Sequence, residues 1–157
     1  MSDIDIVESL KRDLGAKALE VANPDRRRIF VKVAPADLIA AVTLLRDKYD
    51  CAYLATITGL DKGETLEILY HFASTAASLT VRTEVPRTAP RLASICPVIP
   101  GAIFYEREIQ EMFGIAVEGI PDPRRLNLPD DWPEDQHPLR KDWKHVRPAE
   151  VIPGGKS

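Results

Sequence analysis

The chain has 157 residues and a formal net charge of −3, with 21 basic and 24 acidic side chains. That length is one domain's worth, able to bury roughly 70% of its unfolded surface without a disulfide or metal staple, and the near-balance of charge argues against a nucleic-acid-binding stripe. The two cysteines, Cys51 and Cys96, lie far apart; an iron–sulfur cluster takes about four thiolates, so they read as reduced, buried thiols of a cytosolic protein.

Met1-Ser2-Asp3-Ile4-Asp5 has no basic region followed by an apolar core, so it does not read as a signal peptide. No apolar run approaches the ~20 residues of a membrane span; Ile95 to Tyr105 is broken by Pro97 and Pro100. The expectation is a soluble chain that reaches a membrane only through a partner. Ser2 and Asp5 form a capping-box pattern ahead of Val7, Leu10 and Leu14 at helical spacing, which predicts a first helix ending near Gly15. Lys17 to Ala22 reads as a strand, Asn23-Pro24-Asp25 as a turn, and Arg27 to Val33 as the return strand with Ile29, Val31 and Val33 on one face. The basic run Arg26, Arg27, Arg28 is either a solvated hairpin end or a contact for an anion or acidic partner.

Pro35 stands where proline opens a helix, and Leu38, Val42, Leu45 and Tyr49 line one face of it. Cys51 to Gly59 reads as a buried strand, with Asp61-Lys62-Gly63 as the turn that follows. Leu66, Ile68, Tyr70 and Phe72, then Leu79, Val81, Thr83 and Val85, alternate with polar residues. The three strands should form an antiparallel meander with one face on the helices. His71 falls on the polar face, where a hydrogen-bonded or solvated role outweighs a ligand role. Arg91 to Ile95 reads as a short helical turn with Cys96 packed at its end.

Gly101 opens a hinge helix over 101–113, with Gly114 as its left-handed stop. Tyr105, Ile109, Met112 and Phe113 are expected to face inward; Glu106, Arg107, Glu108, Gln110 and Glu111 are expected mostly elsewhere on the cylinder, with an Arg107–Glu111 pair. Glu108 and Glu111 crowd the C-terminal turn, where the helix dipole disfavours anions. Either a cation meets them (Arg124, Arg125 or a partner's arginine) or both are solvated. Glu106 and Glu108 cannot be an acid–base pair on one substrate, because two residues apart on a helix they point about 200° apart.

From Pro121 onward seven of the 13 prolines and both tryptophans, Trp132 and Trp143, accumulate. Leu126, Leu128, Leu139, Val146, Val151 and Ile152 add apolar anchors, unlike a disordered linker. An acidic patch (Asp130, Asp131, Glu134, Asp135) precedes a basic one (Arg140, Lys141, Lys144, Arg147). The arm is expected to clasp a partner; the other possibility is that it folds back on its own domain. The predicted fold is α+β: a two-layer domain over 1–115 (helix, two strands, helix, three strands, helix) and an extended proline-rich arm over 116–157.

Glu106-Arg107-Glu108-x-x-Glu111-Met112-Phe113-Gly114-Ile115, Pro123-Arg124-Arg125-Leu126, Leu128-Pro129-Asp130-Asp131-Trp132 and His137-Pro138-Leu139-Arg140-Lys141-Asp142 resemble, block by block, the hydrophilic C subunit of respiratory complex I. The same family supplies the small accessory subunit of related membrane-bound [NiFe] hydrogenases and formate hydrogenlyases. Ile120 stands where the complex I pattern usually has a basic residue, and Asn127 where it has an apolar one. A hydrogenase-type complex is therefore the alternative branch.

The resemblance implies a non-catalytic peripheral-arm subunit on the cytoplasmic face of the cell membrane. It would pack against a [NiFe]-hydrogenase-like large subunit and near an iron–sulfur subunit. It would bind no cofactor itself; iron–sulfur clusters and a flavin or [NiFe] centre would sit in the partners. The expected partner-interface residues are Glu106, Arg107, Glu108, Glu111, Arg124, Arg125, Trp132, Arg140, Lys141 and Trp143. A stand-alone enzyme and a free-standing binding adaptor are the competing classes. The chain carries no GxGxxG after a strand, no P-loop and no cysteine cluster to support the former.

Overall fold

The computed structural model describes residues 2–145. Helix α1 spans Asp3–Leu14. The Ser2 hydroxyl accepts from the Asp5 N–H at 3.3 Å and the Asp5 carboxylate accepts from the Ser2 N–H at 2.9 Å, the expected capping box. Ile6, Leu10 and Leu14 are buried, and Gly15 stops the helix at φ 54°.

Strands β1 (Glu20–Asp25) and β2 (Arg28–Lys32) form the first hairpin. The turn falls later than expected, at Arg26-Arg27, with Arg27 at φ 59°. Asn23 and Pro24 instead occupy an irregularity within β1, which an edge strand tolerates because proline has no N–H to give the ladder. Arg27 is a structural tie: its N–H donates to Asp3, and its guanidinium donates to the Thr75 and Ala76 carbonyls.

A 3-10 turn at Pro35–Asp37 leads into α2 (Leu38–Lys48), which buries Leu38, Ala41, Val42 and Leu45. Strands β3 (Tyr53–Asp61), β4 (Thr65–Ala73) and β5 (Ser78–Pro86) form the expected meander. The five-stranded sheet runs β1-β2-β5-β4-β3, with β2 and β5 parallel and the other pairs antiparallel. This α+β architecture is the one the sequence pattern predicts. The expectation that β3 is a buried strand is corrected: it is the outer strand, and Tyr53 and Leu60 are exposed.

The register puts Ile29, Val31, Leu66, Ile68, Tyr70, Phe72, Leu79 and Val81 on one face, where they form one core with Leu10, Leu38, Leu45 and Ile109. Each such large apolar side chain contributes roughly 1.5–3 kcal/mol by leaving water. On the opposite face, His71 bridges the hydroxyls of Thr58 (3.2 Å) and Thr80 (3.0 Å).

Arg91–Ala93 is a strand, β6, and not the helical turn expected over 91–95; it pairs in parallel with β7 (Ala116–Glu118). Pro90 and Pro97 bracket the segment, and the helix between the two strands returns the chain alongside it to supply the missing partner. α3 spans Ile103–Phe113 after a 3-10 turn at Pro100–Ala102, and ends on Gly114 at φ 69°, as expected for a left-handed stop. No helix among the described residues is long and apolar enough to cross a membrane.

Candidate docking site

The charged block on α3 divides into an inner and an outer set. Ala102, Glu106, Ile109 and Phe113 recur at helical spacing and form the buried stripe, so Glu106 is inside, contrary to the expected outward placement. It has no exposed surface at all. Its carboxylate accepts from the Ile95 N–H at 2.6 Å, the Ser94 hydroxyl at 2.6 Å and the Cys96 thiol at 3.2 Å. These bonds fasten the segment after β6 to the first turn of α3, where the helix dipole favours a negative charge. Burial, with the Glu106 bond adding to it, pushes the Cys96 thiol up to about 11. Burial likewise raises Cys51 to about 11, and both cysteines are free and buried.

Glu111 meets neither Arg107 nor a cation. Its carboxylate accepts three successive backbone N–H groups, from Leu126 (3.1 Å), Asn127 (2.7 Å) and Leu128 (3.2 Å). Consecutive amides turned one way make an anion-binding nest, and here the anion belongs to the same chain. Arg107 does the converse: it donates to the Arg124 and Arg125 carbonyls, both at 2.6 Å, and lies 3.5 Å from Asp122. Over residues 124–128 the arm is thus gripped by its peptide groups.

The end of α3 shows a second grip. The last four carbonyls of a helix lack intrahelical donors. Gln110 O receives the Gly114 N–H at 2.9 Å, Glu111 O the His137 Nδ1–H at 3.0 Å, Met112 O the Leu139 N–H at 3.1 Å, and Phe113 O the Arg140 Nε–H at 2.7 Å. A carbonyl only accepts, so Nδ1 of His137 carries the proton. The cation expected at this helix end is therefore Arg140, and it meets a carbonyl rather than a carboxylate. The His137 ring packs where a β-carbon on residue 114 would sit, a second reason for glycine there besides its positive φ.

A third grip lies beside β3. The buried Asp61 carboxylate takes the Lys141 N–H at 2.8 Å, the Gly63 N–H at 2.9 Å and the Arg87 guanidinium, which also pairs with Asp142 at 2.6 Å. Burial pushes Asp61 up, but the Arg87, Lys141 and Gly63 bonds outweigh it and hold the group at about 2. Reading Asp61 only as a turn residue misses this role; its alternation with Ile57 and Gly59 is the signal that puts it on the inner face.

Residues 124–142 therefore fold back on their own domain, the second of the two possibilities that the sequence left open for the arm. Trp132 and Trp143 sit with ring centroids 5.9 Å apart, each giving its indole N–H to Gln136. Arg125 bonds the Pro129 carbonyl, and the exposed Arg124 pairs with Asp122. Glu108 is exposed on the outside of α3. Lys141 is pinned by its backbone and exposes its side chain. Glu106 and Glu111 serve internal contacts. Val146, Arg147, Val151 and Ile152 lie outside the described residues. Among the described residues, no group of three or more His, Cys, Asp or Glu side chains is placed to hold a metal.

This geometry defines a small α+β domain whose charged motif fastens a C-terminal arm. The model of the family described as the respiratory-chain NADH dehydrogenase 30 Kd subunit matches residues 31–148, and the chain belongs to that family. It is 33% identical over 132 residues to the beta subunit of the membrane-bound hydrogenase of Pyrococcus furiosus, covering 81% of this chain and 76% of that one. It is 32% identical over 151 residues to the C subunit of NADH-quinone oxidoreductase from a Nocardioides species, covering 88% of this chain and 60% of that one. The chain spans less than two thirds of most of the curated relatives it matches, down to 11% of formate hydrogenlyase subunit 5 of Escherichia coli (strain K12). Among solved structures, a chain of the archaeal membrane-bound sulfane sulfur reductase superposes with TM-score 0.80 at 22% identity, covering 91% of this chain and 86% of that one; this is a likeness of fold. The chain is thus related to subunits of complex I-like and membrane-bound hydrogenase complexes.

Proposed function

We propose that this chain is a docking and assembly subunit in the peripheral arm of a membrane-bound electron-transfer complex of the NADH:quinone oxidoreductase type. It holds a [NiFe]-hydrogenase-like large subunit, with an iron–sulfur subunit nearby, on the cytoplasmic face. The iron–sulfur clusters and the flavin or [NiFe] centre belong to those partners, and this chain contributes positioning only.

One observation carries the reading. The arm is bound to its own domain by peptide groups and by the His137, Arg140 and Asp142 side chains, while Leu126 and Leu139 remain 38% and 52% exposed. Large apolar side chains held out on a fixed backbone lose little further entropy on binding, which is what a preorganised docking surface needs. The anchors are flanked by Arg124 and Lys141, both exposed, as in a polar rim around an apolar centre.

The test is recovery of the complex from detergent-solubilised membranes on a tagged copy of this chain. A large subunit and an iron–sulfur subunit should co-purify, and Leu126→Asp should reduce their recovery without unfolding the chain. Recovery of the chain alone, or turnover by the isolated chain, would contradict the docking role.

A second reading, a membrane-bound hydrogenase or formate hydrogenlyase complex, is supported by the 33% identity over 132 residues to the Pyrococcus hydrogenase subunit and by Ile120 and Asn127, which depart from the complex I pattern. Nickel in the purified complex supports that branch; bound flavin supports the first.

A further inference from the structure

At the third grip lies a groove of about 650 Å³, lined by Gly59, Leu60, Asp61, Lys62, Phe113, Leu139 and Lys141. Two different elements form its apolar walls. Leu60, 45% exposed, comes from the outer strand β3, and Leu139, 52% exposed, comes from the arm. Neither wall is loose. β3 is paired along its length with β4, and Leu139 is pinned by its own N–H on the Met112 carbonyl and by the Lys141 N–H on Asp61 two residues later. At its base the Phe113 ring occupies the space that a β-carbon on residue 59 would need, so the groove depends on Gly59.

Of the three charged residues that line the groove, two are paired within the described residues. The Asp61 carboxylate is taken by Arg87 and two backbone N–H groups. The Lys62 ammonium leans away to Glu84 at 2.6 Å. The Lys141 side chain is exposed and forms no ion pair with the described residues. The rim therefore offers an unneutralised cation next to two exposed leucines.

We infer that this groove is a docking site for a partner-subunit segment that inserts an aliphatic or aromatic side chain between Leu60 and Leu139 and places an adjacent carboxylate on Lys141. The charge of the rim selects the occupant: a basic segment would be repelled by Lys141, and a purely apolar one would leave that ammonium in a desolvated interface without a partner. The inference rests on the docking function proposed above and adds a location and a chemistry to it.

The experiment uses the complex purified on the full chain. Zero-length carbodiimide coupling followed by peptide mass spectrometry should join Lys141 to an Asp or Glu of another subunit that neighbours a large apolar residue. Leu60→Lys should weaken partner retention about tenfold or more, the loss expected for one anchoring side chain. Lys141→Glu should weaken it several-fold, and Lys141→Arg should retain it. Both positions direct their side chains away from the bonds that hold the arm, so matched thermal unfolding of the variants confirms that the fold is intact. Wild-type retention of partners by Leu60→Lys and Lys141→Glu, or coupling of Lys141 only within its own chain, overturns the groove while leaving the docking function standing. If the wild-type chain retains no partner, both are overturned.

Discussion

Glu106 and Glu111 sit on the same helix, five residues apart, and do opposite jobs with the same carboxylate. Glu106 is sealed in the core on the donors of Ser94, Ile95 and Cys96, whereas Glu111 holds three amides of the arm. Removing an acceptor inside leaves its donors buried and unpaired, at roughly 1–3 kcal/mol for each. With three donors orphaned, Glu106→Ala should therefore cost about 3 kcal/mol or more in denaturant unfolding, and Glu106→Gln, which keeps one acceptor oxygen, distinctly less. Equal losses would mean that these bonds do not carry the stability. The burial of Glu106 is legible in the sequence, since it lies on the stripe of Ala102, Ile109 and Phe113; its charge argues for the outside, and the three donors around it overrule the charge. Gly114 supplies a second residue-scale prediction. Alanine there would be strained at φ 69° and would also strike the His137 ring. Gly114→Ala should cost at least about 1 kcal/mol and expose the 137–142 segment to protease; an arm as resistant as wild type would contradict the packing.

At the scale of elements, α3 and the arm complete each other. The helix ends with carbonyls that its own turns cannot satisfy, and His137, Leu139 and Arg140 supply the donors. The sequence shows that this helix end wants a cation, but not which group it meets, because arm and helix are joined by irregular chain without a period. β6 is hidden for a related reason: three residues carry little pattern, and the strand exists only because Ala116–Glu118 comes back beside it. The strongly alternating strands β2, β4 and β5 are readable directly, since each buries one face. The Asp61 grip makes the arm's attachment acid-sensitive. Its pKa is lowered in the folded chain from 3.8 to about 2, so its stabilisation is complete above about pH 4 and is lost as pH falls toward 2. The arm's protease resistance should decline through that window, and Asp61→Asn should weaken the resistance at neutral pH and flatten the decline. A wild-type arm equally resistant at pH 2 and pH 5 would show that Asp61 does not hold it.

At the scale of the whole molecule, the arm is already in place on its domain in the single chain. The ordered motif blocks make the family readable from the chain, and within them Glu106, Arg107, Glu111, His137 and Arg140 are spent on contacts inside the chain, while Leu126, Leu139 and Lys141 stay exposed. Their spacing records how the arm is fastened, and the docking surface proposed above is what that fastening leaves exposed. Amide hydrogen exchange on the isolated full chain tests this most directly. With no partner present, the N–H groups of Leu126, Asn127, Leu128, Leu139 and Lys141 should exchange far more slowly than those of an unstructured chain. Exchange of those amides at unstructured rates, slowing only when the complex is assembled, would contradict a preformed arm.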